Sequence, residues 1–352
     1  MLSLQASDPS AIGEVRRTVD RMGRLAGLDG ESLGRLGLAC TEATENLVRH
    51  GGGGEVLVGT RTIEGRLTVE LLALDRGPGI TDIAAALVDG HSGAGTAGCG
   101  LGALGRLSDG FDLHSVAGAG TALLVRVRSR AAGPFRPIRQ ARALLDVGAV
   151  RVALPGERRC GDAWSALVEP GAHALCLVDG LGHGDAAADA ADAALCGFGD
   201  GAGARPAARL ALMSAASRGT RGSVGSVVTC RLAAGGEGLT FEHAGIGNVS
   251  TAVHGAGREP DGLPSMAGTL GRDDCVLHTN GGTLGRRDLI IMHSDGLATP
   301  DPFTRRDGLV RRDPTLIAAV LYRDGADRTD DCAVLVARAS SSSTTSVTDA
   351  RA

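Results

Sequence analysis

Acidic residues in the second half of the chain stand at the ends of apolar segments. Asp162 completes the run C-G-D after a loop, and Asp179 begins D-G-L-G-H-G after the apolar run L-C-L-V. Asp295 follows L-I-I-M-H-S, and Asp330 precedes the last apolar run of the chain. An isolated Asp-Gly is typical of a turn, but four acidic positions at strand ends can converge in a folded sheet. Such oxygen ligands suit Mg²⁺ or Mn²⁺ rather than zinc, and without a cation they would repel one another.

A second group of polar residues lies in the first half of the chain. Glu42 and Asn46 are four residues apart on a predicted helix, so they share one face of it. Asp75 begins D-R-G-P-G-I after an apolar segment and could accept a hydrogen bond from an exocyclic amine, while the glycines let backbone approach a ligand closely. The glycine-rich run 93–102 opens a short predicted helix, whose backbone amides can bind phosphate.

The absence of lysine from the sequence excludes several classes of phosphate-binding and cofactor site. The 352 residues include 36 Lys plus Arg, and every one of these is arginine. Without lysine the chain cannot form a Walker P-loop, the phosphate-binding strand of a eukaryotic-type kinase or a pyridoxal-phosphate Schiff base. Any phosphate must therefore be held by backbone amides, arginine or a metal. The net charge of −4 gives no reason to expect nucleic acid, and no run of about 18 apolar residues predicts a membrane span.

Apolar periodicity predicts the elements that position the first group. The predicted helices cover 10–26, 33–50 and 101–107, and four glycines at 51–54 end the second of them. The predicted strands cover 55–60, 67–74 and 121–127, of which the first two form a hairpin. This order predicts helices packed on one face of a sheet.

The second half follows a different pattern. Its predicted strands cover 141–153, 163–168, 172–178, 224–232, 239–244, 288–292 and 332–337, and its predicted helices cover 185–197, 206–216 and 313–321. The order favours an α+β domain with a mainly antiparallel sheet. We therefore expect two domains, 1–130 and 141–338, joined by a linker over 131–140 that is rich in Pro and Arg. The polar tail 339–352 is expected to be disordered.

The ordered motifs E-x-x-x-N, D-x-G-x-G, G-x-G-x-G and G-T, over about residues 10–128, resemble the GHKL ATPase family. Within it they are most similar to the serine kinases of the RsbT and RsbW type. The resemblance implies a Bergerat α/β sandwich that binds ATP, with Asn46 holding Mg²⁺ and Glu42 acting as general base toward a substrate serine. The other nucleotide-binding residues would be Asp75 at the adenine amine, Gly77, Gly79 and Thr121 near it, and Gly98, Gly100 and Gly102 in the phosphate lid. Arg106 either balances phosphate charge or is an exposed helix arginine.

Six further motifs, in order over 141–338, resemble the metal-dependent protein phosphatases of the SpoIIE branch, and RsbX in particular. They are C-G-D, D-G-L-G-x-G, R-G-S-V-G-S, H-A-G-I-G-N-V, H-S-D-G-L and D-D-C-A-V. The resemblance implies an α-β-β-α sandwich with two Mn²⁺ or Mg²⁺ ions, whose bridging water attacks a phosphoserine or phosphothreonine. The ligands would be Asp162, Asp179, Asp295 and Asp330, assisted by the Gly180 carbonyl.

Three other residues of these motifs receive roles from the same resemblance. His183 would protonate the leaving oxygen, although it stands two residues later than the His of the D-G-H run in many members of the wider family. Gly247 and Asn248 would shape a turn near the site.

Together the two resemblances imply a bifunctional regulator of a partner-switching pathway, with a serine kinase-like domain and a phosphatase domain. They also imply STAS-domain substrates, of the anti-sigma-antagonist or stressosome kind. A cytoplasmic location is expected because the eight cysteines are scattered without a C-x-x-C pair, which is typical of reduced thiols in a cytosolic protein. Two alternatives stay open. In one, only the phosphatase is catalytic, and the ATP domain senses nucleotide or binds a partner. The presence of Glu42 argues against this alternative, because a binding module needs no general base. In the other, the whole chain is a non-enzymatic partner switch. The complete set of four predicted metal-ligand aspartates argues against it.

Overall fold

The computed structural model describes residues 1–63, 65–88, 100–129, 143–234, 238–255, 259–272, 277–298 and 308–340. Contacts divide the chain into two compact units, Met1–Ile138 with Arg311–Arg323 and Arg139–Val310 with Asp324–Ala352. The predicted linker 131–140 and residues 341–352 of the predicted tail lie outside the described residues. The domain boundaries given above remain predictions. The sequence pattern gave no indication that Arg311–Arg323 would join the first unit.

The elements follow one another along the described chain in this order. The strands are β1 Leu2–Ala6, β2 Gly54–Ile63, β3 Arg66–Leu74, β4 Gly110–Val116, β5 Gly120–Arg128, β6 Leu145–Val152, β7 Asp162–Glu169, β8 Ala172–Gly180, β9 Ser223–Leu232, β10 Leu239–Ile246, β11 Ser250–His254, β12 Asp261–Gly262, β13 Asn280–Leu284, β14 Leu289–His293 and β15 Cys332–Ala339. The helices are α1 Ser10–Leu25, α2 Gly30–Arg49, α3 Ile83–Ala86, α4 Gly100–Leu107, α5 Asp185–Asp200, α6 Pro206–Ala216 and α7 Pro314–Gly325.

The first unit contains one antiparallel sheet in the order β1-β2-β3-β5-β4. The predicted hairpin is the β2–β3 pair, and the three predicted helices are α1, α2 and α4. The two edge strands β1 and β4 were not predicted. β1 has the alternating sequence L-S-L-Q-A and β4 contains F-D-L-H, but these alternating runs are short and most side chains of both strands are exposed or half-buried, so they are a weak strand signal.

Helix α2 shows how the sequence separates core from site. Its first turn is capped by Asp29, whose Oδ1 accepts a hydrogen bond from the Ser32 amide at 2.8 Å. The side chains that recur at helical spacing are buried in the core that α1 and α2 form on one face of the sheet: Leu36, Ala39, Ala43 and Leu47. Burying a leucine of this kind contributes about 1.5–3 kcal/mol. Glu42 and Asn46 are left outside this stripe.

The opposite face of the same sheet carries charged residues, and helix α7 lies over it. Arg126 donates from Nε to Glu70 at 2.8 Å, and from Nη1 and Nη2 to Asp313 at 2.5 and 2.9 Å. At the other end of the helix, the Tyr322 hydroxyl donates to Glu55 at 3.0 Å. Glu55 and Glu70 are only 4% and 3% exposed. Because buried charges need partners, these pairs connect α7 to the sheet.

The second unit contains two antiparallel sheets, in the orders β13-β10-β9-β8-β7 and β12-β11-β14-β15-β6. Residues from both sheets form one shared core, which includes Leu175 and Leu177 of β8 and Met292 and Leu335 of the other sheet. Helices α5 and α6 pack on the other face of the first of these sheets, in a core that contains Phe198. The predicted α+β class, with a layered sandwich in each half, is confirmed. Strands β11, β12 and β13 were not predicted, because they are short and rich in polar residues and glycine.

No helix in the described ranges is long and apolar enough to cross a membrane.

Neutralising Asp313 is expected to weaken the contact between α7 and the sheet. Burial opposes ionisation of Asp313, but its hydrogen bonds and charge interaction with Arg126 outweigh burial and lower its pKa below the ordinary 3.8. Its contribution to stability is therefore complete above that ordinary pKa and is lost as the pH falls through the lowered value. Asp313→Asn should reduce the free energy of unfolding at neutral pH by about 1–3 kcal/mol, and the loss should vanish in acid.

Urea unfolding of the full chain at several pH values measures this difference. Asp20→Asn is the control, because Asp20 forms an exposed ion pair with Arg24 on α1 and exposed pairs contribute little. Equal losses in the two variants, or a loss from Asp313→Asn that persists in acid, would contradict the prediction.

Candidate nucleotide site and candidate metal centre

Asp75 organises the first site. It follows β3 and is 8% exposed. Its Oδ1 accepts hydrogen bonds from the amides of Gly77 at 2.8 Å and Thr121 at 3.1 Å, and its own amide donates to the Thr121 carbonyl at 2.9 Å. Within the described ranges Oδ2 accepts no hydrogen bond, which leaves it available to an exocyclic amine. The structure thus brings three of the predicted nucleotide residues together.

The loop after Asp75 requires glycine at two positions. A Cβ at Gly77 would lie 2.6 Å from the carbonyl oxygen of Gly51, just after α2. Gly79 has a φ of +70° and abuts the carbonyl of Val116. Any other residue would push the loop away from α2 and from the β4–β5 turn. The close approach at these glycines is to the protein's own backbone, and approach of the loop to a ligand remains a prediction.

Glu42 and Asn46 lie in the last turns of α2, and Gly51 just after this helix abuts Gly77 of the Asp75 loop. The Asn46 Nδ2 atom is buried and has no hydrogen-bond partner among the described residues, so the side chain has unused polar capacity toward a ligand. Burial and the neighbouring charge of Glu45 raise the pKa of Glu42, while a hydrogen bond from the Gly100 amide opposes the rise. A carboxylate with a raised pKa is a stronger base at neutral pH.

The remaining predicted residues of this site fall into three groups. Gly100 and Gly102 lie in α4, and Gly98 lies outside the described residues. Arg106 is an exposed residue of α4.

Two residues that sequence reasoning missed support the Asp75 loop. Ser115 Oγ accepts a hydrogen bond from the Ile80 amide at 2.8 Å and lies 2.9 Å from Thr121 Oγ1. Arg323 of α7, which is 7% exposed, donates from Nη1 to the Asp75 carbonyl at 3.0 Å. Arg323 lies 248 residues away in sequence, and no local spacing could have indicated it.

The second site begins with two carboxylates that face each other. Asp162 at the start of β7 is the register partner of Asp179 near the end of β8, and directly opposed side chains of an antiparallel pair lie on the same face. Leu175 and Leu177 also occupy this face of β8 and point into the core between the two sheets. The two carboxylates therefore stand at the end of that core. Asp162 is 1% exposed, and its Oδ2 accepts a hydrogen bond from Ser294 Oγ at 2.6 Å.

Burial and mutual repulsion perturb both carboxylates. Burial first, and then the charges of Asp331, Asp295 and Asp330, raise the pKa of Asp162 to about 7, although the Ser294 hydrogen bond opposes the rise. Burial and the charges of the other aspartates, Asp162 foremost, raise the pKa of Asp179 to about 8. A cation between them would relieve this repulsion.

Asp295 and Asp330 come from the second sheet of the same unit. Asp295 follows β14, is exposed, and accepts a hydrogen bond from Asn248 Nδ2 at 2.8 Å. Asp330 precedes β15. Within the described ranges no three His, Cys, Asp or Glu side chains already form a ligand set tight enough to hold a metal ion. The carboxylates converge closely enough to repel one another, and their oxygen donors fit a hard divalent cation.

Asp331, which sequence reasoning did not separate from Asp330, has a different task. Its Oδ1 accepts a hydrogen bond from the Leu154 amide and its Oδ2 one from the Gly161 amide, both at 2.7 Å. Asp331 thereby fixes the loop that leads into Asp162, and the Gly180 amide donates to the Gly161 carbonyl at 3.1 Å. The tandem D-D in the sequence was the available signal.

His183 has a partner that was not predicted. Its Nδ1 lies 2.7 Å from Oε1 of Glu157, and the His183 side chain is 56% exposed. Asn248, expected to shape a turn, donates to Asp295, and Gly247 before it has a φ of +84°. The role of His183 as a proton donor remains a prediction.

Comparison with known proteins agrees with this geometry. Residues 5–127 match the family model of the histidine kinase-like ATPase domain. Over 87 residues the chain is 38% identical to the serine/threonine-protein kinase RsbT of Bacillus subtilis (strain 168), which corresponds to 25% of this chain and 65% of RsbT. The chain thus spans less than two thirds of RsbT.

Solved structures extend the comparison to the rest of the chain. One from work on the bacterial stressosome as a modular system that controls secondary messenger signalling is 28% identical; the match covers 55% of this chain and 99% of that one, with a TM-score of 0.50. RsbX in complex with magnesium is 21% identical; that match covers 56% of this chain and 96% of RsbX, with a TM-score of 0.49.

Residues 5–127 are thus similar to the histidine kinase-like ATPase domain, and part of the chain is similar to RsbT. RsbX and the PP2C phosphatase domain of SpoIIE from Bacillus subtilis, at 21% and 15% identity, are similar to the chain in fold alone. The two family resemblances predicted from the motifs are confirmed at this level.

The Asp75 geometry yields a prediction about nucleotide binding. Asp75→Asn keeps an oxygen for the Gly77 and Thr121 amides but puts an NH₂ group where Oδ2 stands, so that it faces the adenine amine with a donor. Affinity for ATP should fall about 10- to 100-fold, measured by titration of a fluorescent ATP analogue. Asp82→Asn is the control, because Asp82 caps α3 and Asn caps equally well. Unchanged affinity in Asp75→Asn would argue against the assignment.

The Asp162–Asp179 pair predicts that removing one carboxylate stabilises the metal-free chain and weakens metal binding. Asp179→Asn should raise the melting temperature of the metal-free chain by about 2–4 °C, since it removes a half-buried carboxyl whose ionisation burial and Asp162 oppose. The further stabilisation by Mn²⁺ should be lost. Thermal unfolding with EDTA and with MnCl₂ tests both halves. Asp261→Asn, an exposed change on β12, should alter neither. A destabilised metal-free Asp179→Asn would refute the repulsion argument.

Proposed function

We propose that this chain is a bifunctional regulator that phosphorylates a serine on a protein partner with one site and removes phosphate with the other. The observation that carries the proposal is the opposed pair of the buried Asp162 and the half-buried Asp179, with the charges of Asp295 and Asp330 acting on both. Such an arrangement of carboxylates is costly unless it holds cations. The ATPase-type domain supplies the second, independent phosphate chemistry.

In the phosphatase half, Asp162, Asp179, Asp295 and Asp330 would hold two Mn²⁺ or Mg²⁺ ions, with the Gly180 carbonyl assisting. Such ions would supply a water-derived nucleophile for the phosphorus of a phosphoserine or phosphothreonine. Ser294 and Asp331 position Asp162 from its two sides, through its carboxylate and through its loop. His183, oriented by Glu157, would give a proton to the leaving serine oxygen.

In the kinase-like half, Glu42 would take the proton of the substrate serine as its oxygen attacks the γ-phosphate of ATP. The Asn46 amide would hold Mg²⁺ against the phosphates, and Asp75, with Gly77, Gly79 and Thr121, would bind the adenine. Gly98, Gly100 and Gly102 would cover the phosphates. Arg106 would balance their charge.

A second candidate function follows from one contact. The Gly100 amide, at the start of α4, donates to the Glu42 carboxylate, so the proposed base is engaged by the segment proposed to cover the phosphates. A domain in this state would bind ATP and report its presence without transferring phosphate. The phosphatase would then be the catalytic half of the chain.

The substrate class comes from relatives and not from a contact. RsbT is a serine/threonine-protein kinase and another similar structure belongs to work on the bacterial stressosome. We infer that STAS-domain proteins, of the anti-sigma-antagonist or stressosome kind, are the partners, and that the chain meets them in the cytoplasm.

One paired assay tests the two activities. With labelled ATP and a STAS-domain protein, Glu42→Gln should lower label transfer at least about 100-fold, because general bases contribute about 10²–10⁴ in rate. With Mn²⁺ and the phosphorylated partner, Asp179→Asn should abolish phosphate release. Glu14→Gln on α1 and Asp261→Asn on β12, both exposed, are the matched controls.

Each arm has its own contrary outcome. If label transfer does not depend on Glu42, the kinase assignment fails and nucleotide sensing remains as the function of the first domain. Phosphate release that is absent with Mn²⁺, or unchanged in Asp179→Asn, would overturn the phosphatase assignment.

A further inference from the structure

An arginine lies beside the loop that follows the proposed metal ligands. In the β8–β9 ladder Gly180 is the register partner of Ser223, and the Leu181 amide donates to the Gly222 carbonyl at 3.1 Å. One step further along both segments, Gly182 lies next to Arg221. The backbone that carries Asp179 and the Gly180 carbonyl therefore leads directly to this arginine.

The Arg221 guanidinium rests against the backbone of Gly182. A Cβ at Gly182 would lie 2.9 Å from Nη2, 3.3 Å from Cζ and 3.4 Å from Nη1 of Arg221. A side chain at position 182 would displace the guanidinium, and the φ of +76° at Gly182 also favours glycine there. The second glycine of D-G-L-G thus makes room for a cation.

Arg221 is exposed, and within the part of the chain that the structure describes it forms neither an ion pair nor a side-chain hydrogen bond. Other arginines of this unit are engaged: Arg159 pairs with Asp189 and Asp192, and the buried Arg209 pairs with Glu169. Arg221 keeps its donors free although it lies beside the loop of Asp179. Its charge is available to an anion from outside the chain.

A second guanidinium lies close to the same strand end. The Nε atom of Arg272 would be 3.4 Å from a Cβ at Gly222. On the other side of the turn, Gly184 packs against the Glu157 carboxylate, which is engaged by His183. The turn thus has an acidic side and a basic side, and Arg221 is on the basic side next to the metal-ligand loop.

We propose that Arg221 binds the phosphoryl group of the substrate, a phosphate monoester dianion, at the carboxylate centre. This proposal rests on the proposed phosphatase function and adds a substrate-binding residue to it. The planar guanidinium offers parallel N–H donors that match two phosphate oxygens. Arg221 orients and neutralises the phosphoryl group and exchanges no proton with it. It supplies, in a chain without lysine, the side-chain cation that the ester needs.

The test uses the full chain with Mn²⁺ and a phosphoserine peptide. Arg221→Ala should raise KM about 10-fold or more, since hydrogen bonds to charged groups are the stronger kind, and should raise the inhibition constant of inorganic phosphate by a similar factor. Arg221→Lys keeps the positive charge but loses the paired N–H donors of the guanidinium. Its KM and inhibition constant should lie between those of the wild type and of Arg221→Ala. Arg218→Ala removes an exposed arginine three residues earlier and should change neither constant.

Direct binding separates this proposal from the proposed function. Inorganic phosphate is titrated by calorimetry into the Mn²⁺-loaded wild type and each variant, whether or not the chain hydrolyses the peptide. Weaker binding in Arg221→Ala but not in Arg218→Ala supports the assignment even if hydrolysis fails. Equal binding in Arg221→Ala and wild type, or equal weakening in both alanine variants, overturns it.

Discussion

Asp162 and Asp179 oppose each other because the register of β7 and β8 is fixed from both faces of their sheet. Along β8, Leu175 and Leu177 enter the core between the sheets, whereas Cys176 and Val178 enter the core beneath α5 and α6. A slip of one residue would exchange these two sets. The packing that buries the leucines therefore also carries the Asp179 carboxylate to the end of the layer, opposite Asp162. The second sheet ends β14 and begins β15 at the same place, which brings in Ser294 and Asp331.

The first unit depends on a segment that is remote in sequence. Its sheet buries one apolar face under α1 and α2, and the other face carries Glu55, Glu70 and Arg126. Those charges have partners because Arg311–Arg323 belongs to the same unit. The segment also reaches the candidate nucleotide site, since Arg323 donates to the carbonyl of Asp75. The candidate nucleotide site thus includes a residue from a segment that is remote in sequence.

Local pattern was sufficient where one face of an element is apolar. The helix α2, the hairpin β2–β3 and the strand β8 were predicted, and so were the aspartates at strand ends, because their neighbours in sequence define the element. The partners of these residues were not predictable in this way. Glu157 beside His183, Ser294 beside Asp162 and Arg323 beside Asp75 are brought together by tertiary packing between distant segments. The edge strands were missed because their alternating runs are short and mostly exposed, which makes them a weak signal.

The absence of lysine gives the arginines two separate tasks. Some complete the structure: Arg126 and Arg323 in the first unit and Arg209 in the second are each buried against acidic groups or carbonyls. The guanidinium suits this task because it stays charged and presents several donors in fixed directions. These arginines are already engaged and cannot serve a phosphate. The proposal for Arg221 assigns recognition of a phosphate ester to an arginine at a glycine-lined turn, where a missing side chain leaves room for the guanidinium. The high glycine content, 55 of 352 residues, and the exclusive use of arginine thus meet in one piece of local geometry at Gly182 and Arg221.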